Sequence, residues 1–257
     1  MRIVFFSDIH ANLPALESFF AEMDIVKPDM IYCLGDLVGY NVWPNEVVNE
    51  IRKRRIPTIA GNHDESIGNK IRSSFTMREL DSKMSIGAKS NYITNHLVDD
   101  DERNYLATLP SHIRLSYKVR DEHINILMVH GSPYDISEYL LENRDEDEML
   151  QIFEDTKTDL LFFGHTHKPY HRVITVTTDN VPAYRHAINV GSVGKPKDGN
   201  PHGSYALLTI TETTSMFIKE SINIQIKRFS YDVSKAATHI EQSNFPNEFA
   251  DMLRKAY

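Results

Sequence analysis

Apolar residues in this chain come in short dense runs, and five of those runs stop at the same kind of polar group. Ile3-Val4-Phe5-Phe6 leads into Ser7-Asp8-Ile9-His10, and Met30-Ile31-Tyr32-Cys33-Leu34 into Gly35-Asp36. Pro57-Thr58-Ile59-Ala60 leads into Gly61-Asn62-His63-Asp64. Ile124-Asn125-Ile126-Leu127-Met128-Val129 runs into His130-Gly131, and Leu160-Leu161-Phe162-Phe163 into Gly164-His165-Thr166-His167. Short runs of this kind predict buried strands. Groups just past the carboxyl ends of strands in an α/β sheet converge on one edge, where ligands bind. Five Asp, Asn or His clusters in one relation to five strands therefore predict one ligand-rich site.

Helical spacing fills the gaps. Asn12-Leu13-Pro14 looks like a helix start, with Asn12 as cap and Leu16, Phe19, Phe20 and Met23 on one face. Pro44-Asn45-Glu46 opens a second helix carrying Val47, Val48 and Ile51. Its basic end, Arg52-Lys53-Arg54-Arg55, suits a last helical turn better than a nucleic-acid patch. Residues 64–112 are polar and rich in Ser, Asn, Met and charge, which predicts a helical excursion bordering the ligand-bearing edge. His96 within it reads as solvated. The acidic stretches 99–102 and 142–148 read as helix starts, where negative charge meets the positive end of the helix dipole. Residues 173–176, 205–210 and 222–226 predict strands, and the chain from Val233 a closing helix interrupted near Phe245-Pro246. No repeat, low-complexity tract or linker divides residues 1–257, which predicts one domain.

Composition narrows the function classes. A net charge of -8 argues against a bulk nucleic-acid footprint, so no stable nucleic-acid partner is expected. The lone Cys33 cannot form an intramolecular disulfide and reads as a small core residue in a reducing compartment. No run approaches the ~20 apolar residues a membrane span needs. No basic segment followed by an apolar one precedes the first strand, so a cytoplasmic protein is expected.

The clustered residues define a chemistry. Asp8 and His10 stand two apart, which sends both side chains to one side of an extended chain, and His165 and His167 repeat the spacing. With Asp36, Asn62 and His130 they make seven oxygen or nitrogen ligands and no thiolate. That is too many for one tetrahedral centre and suits two metals sharing a carboxylate. Donor type favours Mn, Fe, Zn, Co or Ni. Two such ions suit in-line displacement at phosphorus, because they lower the pKa of a water and neutralise phosphoryl charge. His63, beside Asn62 but not needed as a ligand, is placed to protonate a poor leaving group.

Taken in order, Asp8-x-His10, Gly35-Asp36, Gly61-Asn62-His63-Asp64, His130-Gly131 and Gly164-His165-x-His167 resemble the signature of the calcineurin-like metallophosphoesterases. Residues 32–40, 189–194 and 229–233 further resemble small prokaryotic members related to phosphodiesterases and diadenosine tetraphosphatases. The resemblance implies an α/β, four-layer αββα sandwich of two mixed sheets flanked by helices, with a dimetal site at the strand ends. It implies Asp8, His10 and His167 on one metal, Asn62, His130 and His165 on the other, and Asp36 bridging. It also implies Mn or Fe before the other metals, and His63 as the acid.

Two departures bear on substrate. The protein Ser/Thr phosphatases carry Gly-Asp-x-x-Asp-Arg-Gly, and this chain has Gly35-Asp36-Leu37-Val38-Gly39-Tyr40-Asn41, which lacks the second Asp and the Arg. Some small phosphodiesterases of the superfamily carry Cys where His63 stands here, so His63 implies tolerance of poorer leaving groups. Lys195, Lys197 and His202 follow the Gly191–Gly194 turn as substrate-phosphate candidates. The expected activity is hydrolysis of a phosphodiester or phosphoanhydride in a small nucleotide-like substrate, with dinucleoside polyphosphates as one candidate and homo-oligomers allowed. The alternatives are a broad phosphomonoesterase or protein phosphatase, a nuclease, and a non-catalytic interaction module on the same fold.

Overall fold

The computed structural model describes residues 1–69, 84–178 and 180–257. The chain begins as its apolar pattern predicts, with β1 (Arg2–Phe6), α1 (Leu13–Val26), β2 (Met30–Cys33) and α2 (Pro44–Lys53). Asn12 caps α1 by accepting from the Ala15 amide at 3.2 Å. Pro14 sits in the first turn, where a missing N–H is harmless.

The run at 57–60 departs from expectation. It forms only a single bridge, Thr58 to Cys33, and no strand. Pro57 has no N–H to donate to a ladder, and α3 (Asn62–Gly68) begins at once after Gly61. Four strands and one bridging segment thus deliver the polar clusters.

The 64–112 excursion is helical where described, with α4 (Ile86–Leu97) and α5 (Asp100–Leu106) following α3. Residues 70–83 of it lie outside the described residues. The buried guanidinium of Arg103 ties the three helices together by donating to Ile67 O at 2.7 Å and Asn95 Oδ1 at 2.8 Å. Both acidic stretches start helices. Asp99 precedes α5, and Asp145 caps α6 (Glu146–Thr156) by accepting from Asp147 N and Glu148 N. The rest is mostly strand: β3 (Ile113–Val119), β4 (Glu122–Met128), β5 (Leu160–Phe163), β6 (Tyr170–Thr178), β7 (Val181–Asn189), β8 (Gly203–Thr209) and β9 (Asn223–Phe229). The closing helix is interrupted where expected, as α7 (Val233–Glu241) and α8 (Glu248–Lys255).

Two mixed sheets result, ordered β2-β1-β8-β9 and β3-β4-β5-β7-β6. Strand alternation explains how they stack. Ile3 and Phe5 of β1 face Ile126, Met128, Phe162 and Ile188 of the other sheet, and the Phe5 and Phe162 rings lie 3.8 Å apart. Val4 and Phe6 point the other way onto Leu16, Phe19, Val47 and Ile51 of α1 and α2. Leu127, Leu161 and Phe163 cover Met149, Ile152 and Phe153 of α6 on the opposite outer face. Helix, sheet, sheet and helix form the four layers, and strands covered on both faces read as continuous apolar runs. β1 with β2, and β4 with β5, run parallel, so the residues that follow them emerge at common edges.

Candidate metal centre

Each strand must turn sharply at its end to aim side chains back over the sheet edge. The backbone records that demand. Asp8, His10, Asp36, His165 and His167 have φ values of 57°, 50°, 54°, 63° and 59°, a left-handed region that L residues adopt at a cost of ~1 kcal/mol or more each. A polar network holds them there. Asp8 N donates to Gly35 O at 3.0 Å, His10 N to Asp36 O at 2.9 Å, and Gly164 N to His130 O at 2.9 Å. Asn41 Nδ2 donates to His10 O at 2.7 Å, Ser192 Oγ to Asp8 O at 2.7 Å, and His165 N to Asp8 Oδ2 at 3.0 Å. Backbones approach closely as well. A Cβ on Gly61 would lie 2.2 Å from Asp36 Oδ1, so only glycine fits there.

The imidazoles share one arrangement. Nδ1 of His10 lies 2.9 Å from Val38 O, Nδ1 of His130 lies 2.8 Å from Leu34 O, and Nδ1 of His167 faces Lys195 O. His165 uses its other nitrogen, with Nε2 2.9 Å from Ser137 O. A carbonyl can only accept, so each of these nitrogens carries a proton and leaves the opposite one to present a lone pair to an ion. On His130, which Asp36 favours as imidazolium, that nitrogen gives up a proton first. Those lone pairs converge. His10 Nε2 lies 3.1 Å from His167 Nε2, and His167 Nε2 lies 3.1 Å from Asp8 Oδ1. His130 Nε2 stands 3.1 Å from Asn62 Oδ1 and 3.3 Å from Asp36 Oδ2.

Acceptors aimed at acceptors in a buried place call for a cation. Asp8 Oδ1 is buried with no hydrogen-bond donor. The donor atoms of Asp8, His10 and His167 lie within 4.8 Å of one another, as do those of Asp36, His130 and His165, and those of His10, Asp36 and His63. All of these side chains are buried, and oxygen with imidazole nitrogen suits a divalent transition metal. The residues fit such ions.

Charge balance agrees. Burial opposes the Asp36 carboxylate, yet the surrounding His130, His63 and His10 hold it well below the usual carboxylate range. Burial likewise opposes a charged His130, and Asp36 outweighs it, pushing the imidazole up to about 9. Asp8 is kept low against its burial by His167 and His10.

His63 lies in α3 beside this cluster, its ring 5.1 Å from that of His10 and 4.9 Å from that of Tyr40. Burial pushes its pKa down to about 4, with Asp36 pulling the other way. Gly39 occupies the position of the second Asp in the protein phosphatases, and a Cβ there would lie 2.8 Å from His63 Nδ1. Space, not a carboxylate, adjoins that nitrogen. Asn91 is near enough to favour the protonated ring without closing a normal hydrogen bond to Nδ1. Tyr40, at the position of the missing Arg, fills the gap between His63, His10 and Phe249 of α8.

The three substrate-phosphate candidates separate. Lys195 is 1% exposed, with Nζ 4.7 Å from the Tyr40 ring centroid and 3.4 Å from Tyr257 O, and burial pushes its pKa down to about 7. Lys197 is half-buried next to the His167 backbone, where burial lowers its pKa and Asp8 and Asp36 raise it. His202 is exposed, and its hydrogen bonds run to Asn200 and Arg228 instead of the cluster. Sequence reasoning gave no role to Asp64 or Tyr139. Asp64 accepts from Leu37 N at 2.9 Å and Gly61 N at 3.0 Å, which locks the Asp36 turn onto α3. Its place in Gly61-Asn62-His63-Asp64 was the available signal. The Tyr139 ring stacks on His165 at 4.3 Å, a contact across 26 residues that no local pattern announces.

Comparison with known proteins finds relatives along nearly the whole chain. A model of the calcineurin-like phosphoesterase superfamily domain matches residues 1–213. An uncharacterized protein of Methanocaldococcus jannaschii, MJ0912, is 29% identical over 98% of this chain and 96% of its own length. The crystal structure of a metallophosphoesterase from Sphaerobacter thermophilus is 26% identical, covers 100% of this chain and 99% of that one, and superposes with a TM-score of 0.74. The hypothetical protein PH1004 from Pyrococcus horikoshii has the same fold, with a TM-score of 0.76 at 19% identity over 98% of this chain and 97% of that one.

Proposed function

Because the chain belongs to the calcineurin-like phosphoesterase superfamily, a family of phosphoester hydrolases that use divalent metal ions, we propose a dimetal phosphoesterase that cleaves phosphodiester or phosphoanhydride bonds of nucleotide-like substrates. The observation that carries this reading is the set of four imidazoles, each tied to a backbone carbonyl and clustered with Asp8 or Asp36. Asp8, His10 and His167 would hold one ion, Asn62, His130 and His165 the other, with Asp36 between them. Mn and Fe are favoured. Bound ions supply positive charge for phosphoryl oxygens and make a water acidic enough to attack at neutral pH.

The chain's own residues do the rest. His63 holds a proton on Nε2, the nitrogen turned away from Gly39, for the departing oxygen. The free protein disfavours that proton, and an arriving phosphate restores it, because nearby negative charge favours the imidazolium. Lys197 meets a second phosphate of a longer substrate. Lys195 holds Tyr40 behind His63 instead of reaching solvent. Residues 1–257 act as one catalytic domain, since α8 buttresses Tyr40 from outside the matched 1–213. The buried Cys33 suits a cytoplasmic protein.

The test is a panel of phosphomonoesters, phosphopeptides, phosphodiesters and dinucleoside polyphosphates, run with Mn, Fe, Zn, Co and Ni in turn. Higher kcat/KM on diesters or dinucleoside polyphosphates supports the assignment. A preference for phosphopeptides overturns it.

A further inference from the structure

Tyr139 lies in the loop between β4 and α6, and that loop is fastened along its length. Ser137 O accepts from His165 Nε2 at 2.9 Å. Leu140 is fully buried, and its carbonyl accepts from the Tyr170 hydroxyl at 3.0 Å. Glu138 accepts from Ser132 Oγ and from Arg144 at 2.6 Å. Between these anchors the Tyr139 ring lies nearly parallel to the His165 imidazole, with centroids 4.3 Å apart and planes inclined by 22°. The side chain is nevertheless 53% exposed, and its hydroxyl makes no hydrogen bond among the described residues. Tyr134 in the same loop is equally exposed, but its hydroxyl is engaged by Asp155 at 2.6 Å.

One face of Tyr139 is thus covered by a candidate metal ligand, and the other is open at the rim of the site. His165 clusters with Asp36 and His130, so the stack places the Tyr139 ring beside the candidate metal centre. A rigid aromatic face loses little freedom when a planar group settles on it. We propose that the open face of Tyr139 is a stacking platform for the nucleobase of the substrate. This rests on the phosphoesterase reading of the same site and extends it to what the phosphate is attached to. Every base has a π-face, so the platform selects nucleotides over sugar phosphates without selecting one base.

Calorimetric titration of the Mn-loaded protein tests it with ligands that cannot be hydrolysed. The phosphonate analogues of AMP and ribose 5-phosphate are compared, with inorganic phosphate as a control. The adenosine compound should bind roughly 5- to 150-fold more tightly than the ribose compound, the range of one base stack. Tyr139→Ala and Tyr139→Leu should erase that difference and leave phosphate affinity within about twofold, and Tyr139→Phe should keep it. Equal binding of the two analogues by the wild type overturns the platform. So does a Tyr139→Ala protein that loses affinity for all three ligands alike, since Tyr139 would then only support His165. The two readings fail separately. An enzyme that hydrolyses nucleotide esters but binds both analogues equally lacks the platform, and a protein that prefers the adenosine compound but hydrolyses no ester lacks the activity.

Discussion

His10 Nε2 stands 3.1 Å from His167 Nε2, although the two lie 157 positions apart in the chain. Both rings spend their Nδ1 proton on a backbone carbonyl, so the facing nitrogens are both acceptors. A cation between them resolves the conflict. Reloaded protein should therefore carry two ions per chain. Asp36→Asn should lower that number and cut activity by at least ~10³-fold, because one carboxylate faces both donor sets. Metal content of the purified variants checks this, and a wild type with one ion or none counts against it.

His63→Ala should spare nitrophenolate leaving groups and slow alkoxide leaving groups by ~10²–10⁴-fold, the usual worth of a positioned proton donor. Gly39→Ala should show the same selectivity in milder form, because its methyl would meet His63 Nδ1 at 2.8 Å. Rates on matched aryl and alkyl esters decide the matter. An equal loss on both kinds, with metals retained, would reject the assignment.

Lys197→Ala should weaken substrates with a second phosphate by roughly tenfold, the scale of one charge-assisted hydrogen bond, and leave simple monoesters alone. A variant that treats short and long substrates as the wild type does removes Lys197 from the substrate path.

His186 supplies a pH dependence remote from the metal centre. Burial pushes its pKa down to about 3, with His171, Arg185 and Lys219 adding to the effect, and its Nδ1 pairs with His171 Nε2 at 2.8 Å. An unfolded histidine titrates near ~6.5, so the unfolded chain binds the extra proton first. Stability is full above that value and is lost as pH falls toward about 3. His186→Gln should flatten the loss between pH 7 and pH 5 by about 2 kcal/mol. Urea unfolding at pH 7 and pH 5 measures it, and identical pH slopes for wild type and variant refute it.

Phe162→Ala should destabilise the fold by about 3–5 kcal/mol, because it opens a cavity between the sheets opposite Phe5. Metal content of the folded fraction should not change. A variant as stable as the wild type would mean that the two sheets are not joined through this pair.

Much of the architecture was legible before any fold was known. A strand buried on both faces has to be apolar along its length, so 3–6, 124–129 and 160–163 announced themselves, as did the polar groups that follow them. The helix starts were equally local, since Asn12 and Asp145 cap through bonds to residues two or three positions on. The run at 57–60 misled for a local reason too. It has the apolar pattern of a strand, but Pro57 and the immediate start of α3 leave room for one bridge.

The sequence by itself determined the alternation of strands and helices and the residue types gathered at the strand ends, because both depend on short-range periodicity and on what must follow a strand. The four-layer stacking was only what the resemblance implied. Only the tertiary structure decided which way each imidazole points, since its orientation comes from a carbonyl as distant as Leu34 is from His130. It also decided that Lys195 turns inward onto Tyr40 while Lys197 stays beside His167, although the two stand in one loop. And it set Tyr139 against His165, a contact made by the packing of a loop with no periodic signal of its own. Side-chain direction at a loop position depends on what the rest of the chain brings to it, and no window of neighbouring residues contains that.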